Sequence, residues 1–507
     1  MVKCNLGGTS HVDSGIAVPT GKDREQLQTE IQISNLYNTD LSPIGPGQRT
    51  WGTWNYLALW LSMSAVITTY TLASGLMVAG MNWWEALLTV GLGNLIVLIP
   101  MILNAAVGTR YGVPFPVFIR AAFGTQGAKI AAMARGLVGC GWFGIQTWLG
   151  GLALSDLIGT LWDTWSHLPD NDFYAFGIFW VLQMVIVWKG MGAIKRLESF
   201  AAPFLIAMLL ALFVWAFQTG QGIAHTLQAA SMLTGHDRPS FWVLFWPGLA
   251  ANVGYWATLS LNIPDFTRFA KSQRAQIVGQ GIGLPVGMIL TSFVGIFVTA
   301  AALVTFHKAL WNPVDLIPHL THNGIILVIA MLAILLAQTS INMGANVVSP
   351  SNDFSNLAPR WISFRMGGLI TGIVGILICP WALMAHASAY VFTWLTGCGS
   401  ILGAVAGVMI ADYWLWRDRS LSLEELYRED GLYHRWNWSA FLALATAIVP
   451  ILPGFWHVAA HAGHNTEDSW FDVLYTYGWF WTFFVAGISY LVYARVLQPT
   501  RRLQNEG

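Results

Sequence analysis

The feature that most constrains this chain is where its positive charge lies. Long apolar stretches rich in Gly and Trp recur from about Trp54 to Val496, and nearly every Lys and Arg sits in alternate short connections between them. A water-soluble core has no reason to sort charge in this way, whereas a polytopic membrane protein does, because cytoplasmic loops retain Lys and Arg. Only 10% of the 507 residues are charged and mean hydropathy is +0.55, where a soluble chain would need roughly a quarter charged. Most of the surface must therefore meet lipid, and a formal net charge of zero gives no footing for nucleic acid.

A helix needs about 20 apolar residues to cross a bilayer. Twelve stretches qualify, at 54–79, 84–108, 131–158, 173–190, 200–218, 241–262, 280–304, 324–348, 366–386, 388–413, 437–456 and 474–496. An even number places both termini on one side. The connections holding Arg110, Arg120 and Lys129, then Lys189, Lys195 and Arg196, then Arg268, Lys271 and Arg274, then Arg360 and Arg365, then Arg417, Arg419, Arg428 and Arg435 fall on that side, while the intervening loops hold only Arg238 and Lys308. The positive-inside bias makes the side of the termini cytoplasmic, as expected of a multi-pass protein of the inner (plasma) membrane. The segment before Trp51 has no apolar h-region, so no cleavable signal peptide is expected. In the opposite loops His457, His461 and His464 could bind metal or sense pH. A solvated loop is the simpler reading, and no metal site is assigned. Cys4, Cys140, Cys379 and Cys398 are scattered without metal-ligand spacing.

Several spans carry more polar and small residues than a lipid-facing helix needs. The first holds Ser62, Ser64, Thr68, Thr69 and Thr71; the sixth reads Gly248-Leu-Ala-Ala-Asn252-Val-Gly254-Tyr255-Trp256 and ends in Asn262-Ile-Pro264-Asp265. Broken helices at equivalent places in two halves of a chain mark transport sites, so the first and sixth spans are candidates for a discontinuous pair; close helix packing is the other reading of Gly254. In the third span Trp142 and Gln146 are four apart and share a helical face. An indole beside an amide suits a flat heterocycle: the ring stacks, and the amide supplies one donor and one acceptor. The eighth span adds Gln338, Ser340, Asn342 and Asn346, whose amides should face a partner and not lipid. No enzyme constellation emerges: Asp156, Glu85, Glu198 and Asp412 are isolated or near span ends. No G-x-x-x-x-G-K-[ST] loop is present to power an ATP-driven pump. Active transport would draw on an ion gradient.

Longer motifs carry a family resemblance. Trp142-Phe-Gly-Ile-Gln146-Thr-Trp-Leu-Gly, Gly254-Tyr-Trp256-Ala-Thr-Leu-Ser-Leu-Asn262-Ile-Pro-Asp265-Phe-Thr-Arg268-Phe, Asn346-Val-Val-Ser-Pro350, Gly407-Val-Met-Ile-Ala-Asp412-Tyr-Trp, Asn38-Thr-Asp40-Leu and Arg49-Thr-Trp51 resemble the nucleobase-cation-symport-1 family from about residue 38 to 440. Within it the chain is similar to the bacterial allantoin permeases and to the hydantoin transporter. The resemblance implies an all-α integral membrane protein of twelve transmembrane helices, a LeuT-type 5+5 inverted repeat plus two peripheral helices. Its parts would be a cytoplasmic N-terminal segment (1–50), a first repeat (51–220), a second repeat (241–413), a cytoplasmic linker (414–436), the peripheral helices (437–496) and a cytoplasmic tail (497–507).

The resemblance also implies function. The chain should be a monomeric secondary transporter, not an enzyme, that imports a planar nitrogenous ring by alternating access: allantoin first, then hydantoin, uracil, cytosine or purine. An uncoupled facilitator or channel-like permease for the same compounds is the alternative. No cofactor is implied. The substrate positions fall on Trp142, Gln146, Trp256 and Asn346, with Gly254, Tyr255 and Asn342 beside them. The sodium site of the coupled relative falls on the carbonyls of Ser62, Ala65 and Ala337 and the hydroxyl of Ser340, but its second hydroxyl position is Ile341, which offers no oxygen. Proton coupling therefore stands beside sodium coupling. Its candidate carriers are Glu198, Asp265 and Asp156, each also readable as a helix-end or loop-pairing carboxylate. The tenth span, with Gly403 and Gly407, could bend as an outer gate or simply pack closely.

Overall fold

The computed structural model describes residues 31–220, 222–232, 239–308, 310, 313–320, 323–384, 394–460 and 469–498. His461 and His464 lie outside them.

The first span is broken. α1 (Thr53–Ser64) and α2 (Ile67–Val78) meet at 58°. Neither Gly nor Pro makes the break. Ala65 leaves the helix at ψ 60° and Val66 is extended (φ −133°, ψ 160°), so the Val66 N–H turns back to the Ser64 carbonyl at 2.9 Å. α3 (Trp83–Tyr111) opens on a capping box in which Glu85 accepts from the Asn82 N–H at 2.7 Å, and it closes on left-handed Gly112. Glu85 thus has a structural role. α4 (Gly127–Leu161), α5 (Asn171–Lys189) and α6 (Met191–Thr219) follow. The sixth span is also broken: α7 (Phe241–Tyr255) stops at Trp256 (φ −104°, ψ 10°) and resumes as α8 (Ala257–Asn262). α9 (Gln273–Phe306) is continuous. α10 (Gly324–Ile341) passes through a π-helical turn, Asn342–Val347, into α11 (Val348–Leu357); such wide turns gather at functional sites. α12 (Phe364–Leu377) and α13 (Thr396–Ile410) precede α14 (Trp438–Ile448), α15 (Leu452–Ala460), α16 (Trp470–Thr476) and α17 (Gly478–Leu497).

Among the described residues nine helical runs are long and apolar enough to cross a membrane, and the bent α1–α2 pair makes a tenth. Hydropathy along the sequence predicts twelve. The two that fall short are the sixth, divided at Trp256, and the ninth, where α12 is only 14 residues long and Cys379 with φ 55° and Pro380 end it. Lipid-facing surfaces are apolar, as on α3 (Leu88, Leu95, Ile99), α5 (Val181, Leu182, Val185) and α17 (Ile488, Val492, Val496), all exposed. This is an all-α multi-pass membrane protein.

The helices form two packed groups. α1 and α3 each pack on α9, with α7 and α8 against α3; α4 packs with α5, α10, α11 and α12. α13 lies along α17 and α14. Gly403 and Gly407 lie inside the helical run and abut α17, so that a Cβ on Gly403 would sit 2.9 Å from the Trp479 carbonyl; close packing accounts for both. The end that carries the clustered Arg residues is tied by the segment before α1. Asn38 donates to the Pro359 and Ile362 carbonyls at 2.8 and 3.0 Å, the Asp40 carboxylate accepts from the Phe364 N–H, and Arg268 donates to the Asp40 carbonyl. Arg120, fully buried, donates to Leu36, Leu426 and Asn356. At the same end Asp412 pairs with Arg417 at 2.7 Å.

Candidate functional site

Polar side chains from α2, α7, α4 and α10 meet beside the helix breaks, and the π turn packs on α4 next to them. Trp142 and Gln146 lie on one face of α4, both buried. Glycines let neighbours approach: the Trp394 indole, just before α13, occupies the space that a Cβ on Gly141 would need, and the Leu395 carbonyl would be 2.9 Å from a Cβ on Gly254. Close packing thus explains Gly254, and the residues just before α13 pack against both α4 and α7.

A hydrogen-bonded chain runs through the centre. Gln338 Nε2 on α10 donates to Gln146 Oε1 at 2.7 Å, and Gln146 Nε2 donates to Thr68 Oγ1 on α2 at 3.1 Å. Thr68 Oγ1 and the Tyr255 hydroxyl are 2.7 Å apart, and Thr69 Oγ1 lies 3.1 Å from that hydroxyl. The chain therefore joins α10 and α4 of one group to α2 and α7 of the other. Beside it, Asn346 Nδ2 donates to Asn342 Oδ1 at 2.9 Å, while Asn342 Nδ2 faces Gln183 Oε1 (2.8 Å), Thr147 Oγ1 (3.1 Å) and the Phe143 carbonyl (3.2 Å). Tyr255 is edge-on to Trp142 (5.4 Å between centroids, 76°) and to Trp256 (5.0 Å, 88°). Trp256 is edge-on to Trp60 at 5.1 Å, and its indole N–H has no partner. The two indoles expected to face one another thus have the Tyr255 ring in contact with both.

The expected cation positions are also gathered. Ala65 at the α1–α2 break and Ala337 on α10 line one cavity of about 80 Å³. Ser62, Ser340 and Ile341 are buried, and Ile341 is 3% exposed. Thr339, a neighbouring hydroxyl, is committed to the Leu335 carbonyl at 2.7 Å.

The expected proton carriers divide. Asp156 is exposed. Glu198 is on α6, and its side chain lies outside what is described. Asp265, 1% exposed, accepts from the Phe115 N–H at 2.9 Å through Oδ1, and its Oδ2 has no partner. A buried pair was missed by the sequence reading: Arg135 on α4 and Asp353 on α11, 3.6 Å apart, both side chains 0% exposed. Arg135 also donates to Asn262 Oδ1 at 3.1 Å. An Arg inside a span is the signal that could have found it. At the far end His457 pairs with Asp472 at 2.9 Å.

Two broken helices whose polar side chains meet those of α4 and α10 inside an apolar multi-span bundle are the architecture of a secondary transporter. Comparisons with known proteins narrow the class. Residues 43–496 match the family described as permease for cytosine/purines, uracil, thiamine, allantoin. The chain is 39% identical to the purine-uracil permease NCS1 of Arabidopsis thaliana, over 90% of this chain and 78% of that one. It is 34% identical to the allantoin permease of Bacillus subtilis, over 93% and 96%. Among solved structures it is similar to Mhp1, a nucleobase-cation-symport-1 family transporter, in a closed conformation with bromovinylhydantoin bound: TM-score 0.74, 25% identity, 91% of this chain and 96% of that one. The fold of inward-facing Mhp1 also matches, with TM-score 0.72 at 24% identity over 92% and 95%. The chain belongs to the nucleobase-cation-symport-1 family of permeases. It carries a small heterocyclic or ureide substrate across a bilayer by the alternating access of that family.

Proposed function

We propose that the protein imports a planar lactam or ureide ring, with allantoin first and hydantoin, uracil, cytosine and purines behind it, driven by a proton or sodium gradient. The observation that carries this reading is the hydrogen-bonded chain that ties Gln146 to Thr68 and Tyr255 beside the helix breaks, with the Trp142 and Trp256 rings packed on Tyr255 and the Asn342–Asn346 pair in a second network on the same helix as Gln338. The ring stacks on Trp142 and Trp256 with Tyr255 beside it, while Gln146 and Asn346 read its edge. Leaving one buried amide unmatched costs roughly 1–3 kcal/mol, so hydrogen-bond pattern selects the ligand more strongly than size does. An apolar cavity of about 290 Å³ between α1, α6 and the π turn, lined by Trp54, Leu61, Ala202, Ile206, Phe266 and Gly344, is the release route on the side of the termini.

Twelve spans form two inverted five-helix repeats (51–220 and 241–413), a linker (414–436) and two peripheral helices (437–496). The termini are cytoplasmic in the inner membrane, and the working unit is a monomer. α1, α3, α7 and α9 rock against α4, α5, α10 and α12. Proton coupling has the stronger support of the two: Ile341 removes an oxygen from the cation position and Thr339 is committed elsewhere, while Asp265 is a buried carboxylate with an unpartnered oxygen. Counterflow of labelled allantoin into proteoliposomes loaded with unlabelled allantoin, with sodium replaced by choline and with an imposed proton gradient, tests the proposal. A carrier shows saturable counterflow, and a pH gradient drives accumulation without sodium. Non-saturable flux without counterflow would favour the channel-like alternative and refute the proposal.

A further inference from the structure

Alternating access needs a barrier on each side of the substrate site. On the side of the termini the two helix groups meet at Asn262, the last residue of α8, which packs on α3. Its side chain is fully buried, and two side chains of the facing group reach it. Arg135 Nε on α4 donates to Asn262 Oδ1 at 3.1 Å, and Asn262 Nδ2 donates to Ser349 Oγ on α11. A guanidinium has donors and no acceptor, so the amide atom facing Arg135 is the oxygen and the nitrogen is left for Ser349.

Arg135 is anchored within its own group. It pairs with Asp353 on α11 at 3.6 Å and donates to the Ala345 carbonyl in the π turn at 3.3 Å. The guanidinium is therefore fixed on one side and crosses to the other at Asn262. Both ties end on one amide, so parting the groups at this level breaks them together. Leu, of similar volume, would serve packing alone. A buried amide matched to a charged donor is a contact that water can replace when the groups separate.

The depth of the contact gives it a task. Arg135 precedes Gln146 on α4 by a length of about 16 Å at 1.5 Å per residue, toward Gly127, the end of α4 that lies beside Phe441 and the Arg-rich linker. It thus stands between the substrate site and the side of the termini. The apolar cavity between α1, α6 and the π turn adjoins it through Val348.

We infer that Asn262 is a positioning residue that latches the inner barrier: bonded to Arg135 and Ser349 it holds the site shut toward the termini, and released from both it lets substrate leave on that side. This inference rests on the proposed movement of the two helix groups and adds to it the residue that holds them together on one side.

The test reads how often the barrier opens and uses no substrate. Ala345, 2% exposed, lies between Asn342 and Ser349, so Ala345→Cys places a thiol behind the latch. The purified full-length protein carrying Ala345→Cys is treated with N-ethylmaleimide, and the rate at each cysteine is read by peptide mass spectrometry. When opening is brief the rate follows the open fraction. Asn262→Leu removes both ties, one of them to a charged donor, and should speed reaction of the introduced thiol about tenfold or more. Ser349→Ala removes the neutral one and should speed it about two- to tenfold. The rate at Cys398, toward the opposite end of the molecule on α13, should not change in either, and thermal midpoints are recorded to establish that both fold. An unchanged rate at the introduced thiol means a contact that need not break, and equal acceleration at Cys398 means general loosening; either overturns the inference. So does an introduced thiol that reacts, with Asn262 in place, as fast as the exposed Cys379, because the barrier is then not closed there. If the predicted rates are found and no ring binds, the substrate reading fails and the latch stands.

Discussion

Replacing Ile341 by Thr should supply the hydroxyl that Ile cannot offer at the proposed cation position and make substrate binding depend on sodium. The side chain is 3% exposed, and its neighbours on the cation path, Ala65 and Ala337, line a cavity of about 80 Å³. The substitution trims one buried methyl group and turns another into a hydroxyl. The first change costs roughly 0.5–1.5 kcal/mol. The second is partly offset, because a helical Thr can donate to the carbonyl four residues back, here that of Ala337. The variant should therefore fold with a penalty of about 1–2 kcal/mol in sodium-free buffer. A polar group facing a buried charge is worth roughly 1.5–3 kcal/mol, or about a 10- to 150-fold gain in cation affinity. The assay is thermal unfolding and substrate calorimetry in sodium and in choline. The variant should be stabilised by sodium and bind substrate more tightly in it, while the wild type responds to neither. Equal sodium responses in the two proteins, or none in Ile341→Thr, would refute the placement of Ile341 at a cation position.

Arg135→Met should destabilise the protein by about 3–5 kcal/mol, because it strands the Asp353 carboxylate without its counter-charge; Arg135→Met with Asp353→Leu should recover most of the lost thermal midpoint. Gly141→Ala would force the Trp394 indole off α4, and the overpacking should cost about 1–3 kcal/mol and slow uptake in proteoliposomes; unchanged uptake would remove Trp394 as a cover. Burial alone would raise the Asp472 carboxyl, but hydrogen bonds from the Ser469 backbone and hydroxyl and the contact with His457 outweigh it and hold it below the usual range. A depressed folded-state value contributes stability above the unfolded value of about 3.9 and loses it as pH falls through the folded one. The thermal midpoint of the wild type should thus drop below about pH 4, and Asp472→Asn should lack that increment.

What the sequence disclosed and what it withheld divide along physical lines. Helical spacing is local, so the pairing of Trp142 with Gln146 and of Asn342 with Asn346 could be read from residues four apart, and the structure places each pair on one face. The sixth-span break was signalled by the small residues around Gly254. The first was not a Gly or Pro break, and Ala65–Val66 carries no local signature of it. The chain from Gln338 through Gln146 and Thr68 to Tyr255 joins residues far apart in sequence, and no periodicity reports which amides on different helices meet. The third-to-eighth-span ion pair of Arg135 and Asp353 was hidden for the same reason. Hydropathy shows none of the helix breaks within the twelve-span reading, because it sums over a break without seeing it.

The central claim is that Trp142, Gln146, Trp256 and Asn346 hold the substrate. Binding of allantoin, hydantoin and uracil to purified wild type and to Trp142→Ala, Gln146→Ala and Asn346→Ala, each shown to be folded by its thermal midpoint, tests it most directly. The account predicts tight binding of at least one of these rings by the wild type and a loss of about tenfold or more in every variant. Variants that bind the ring as the wild type does would contradict it.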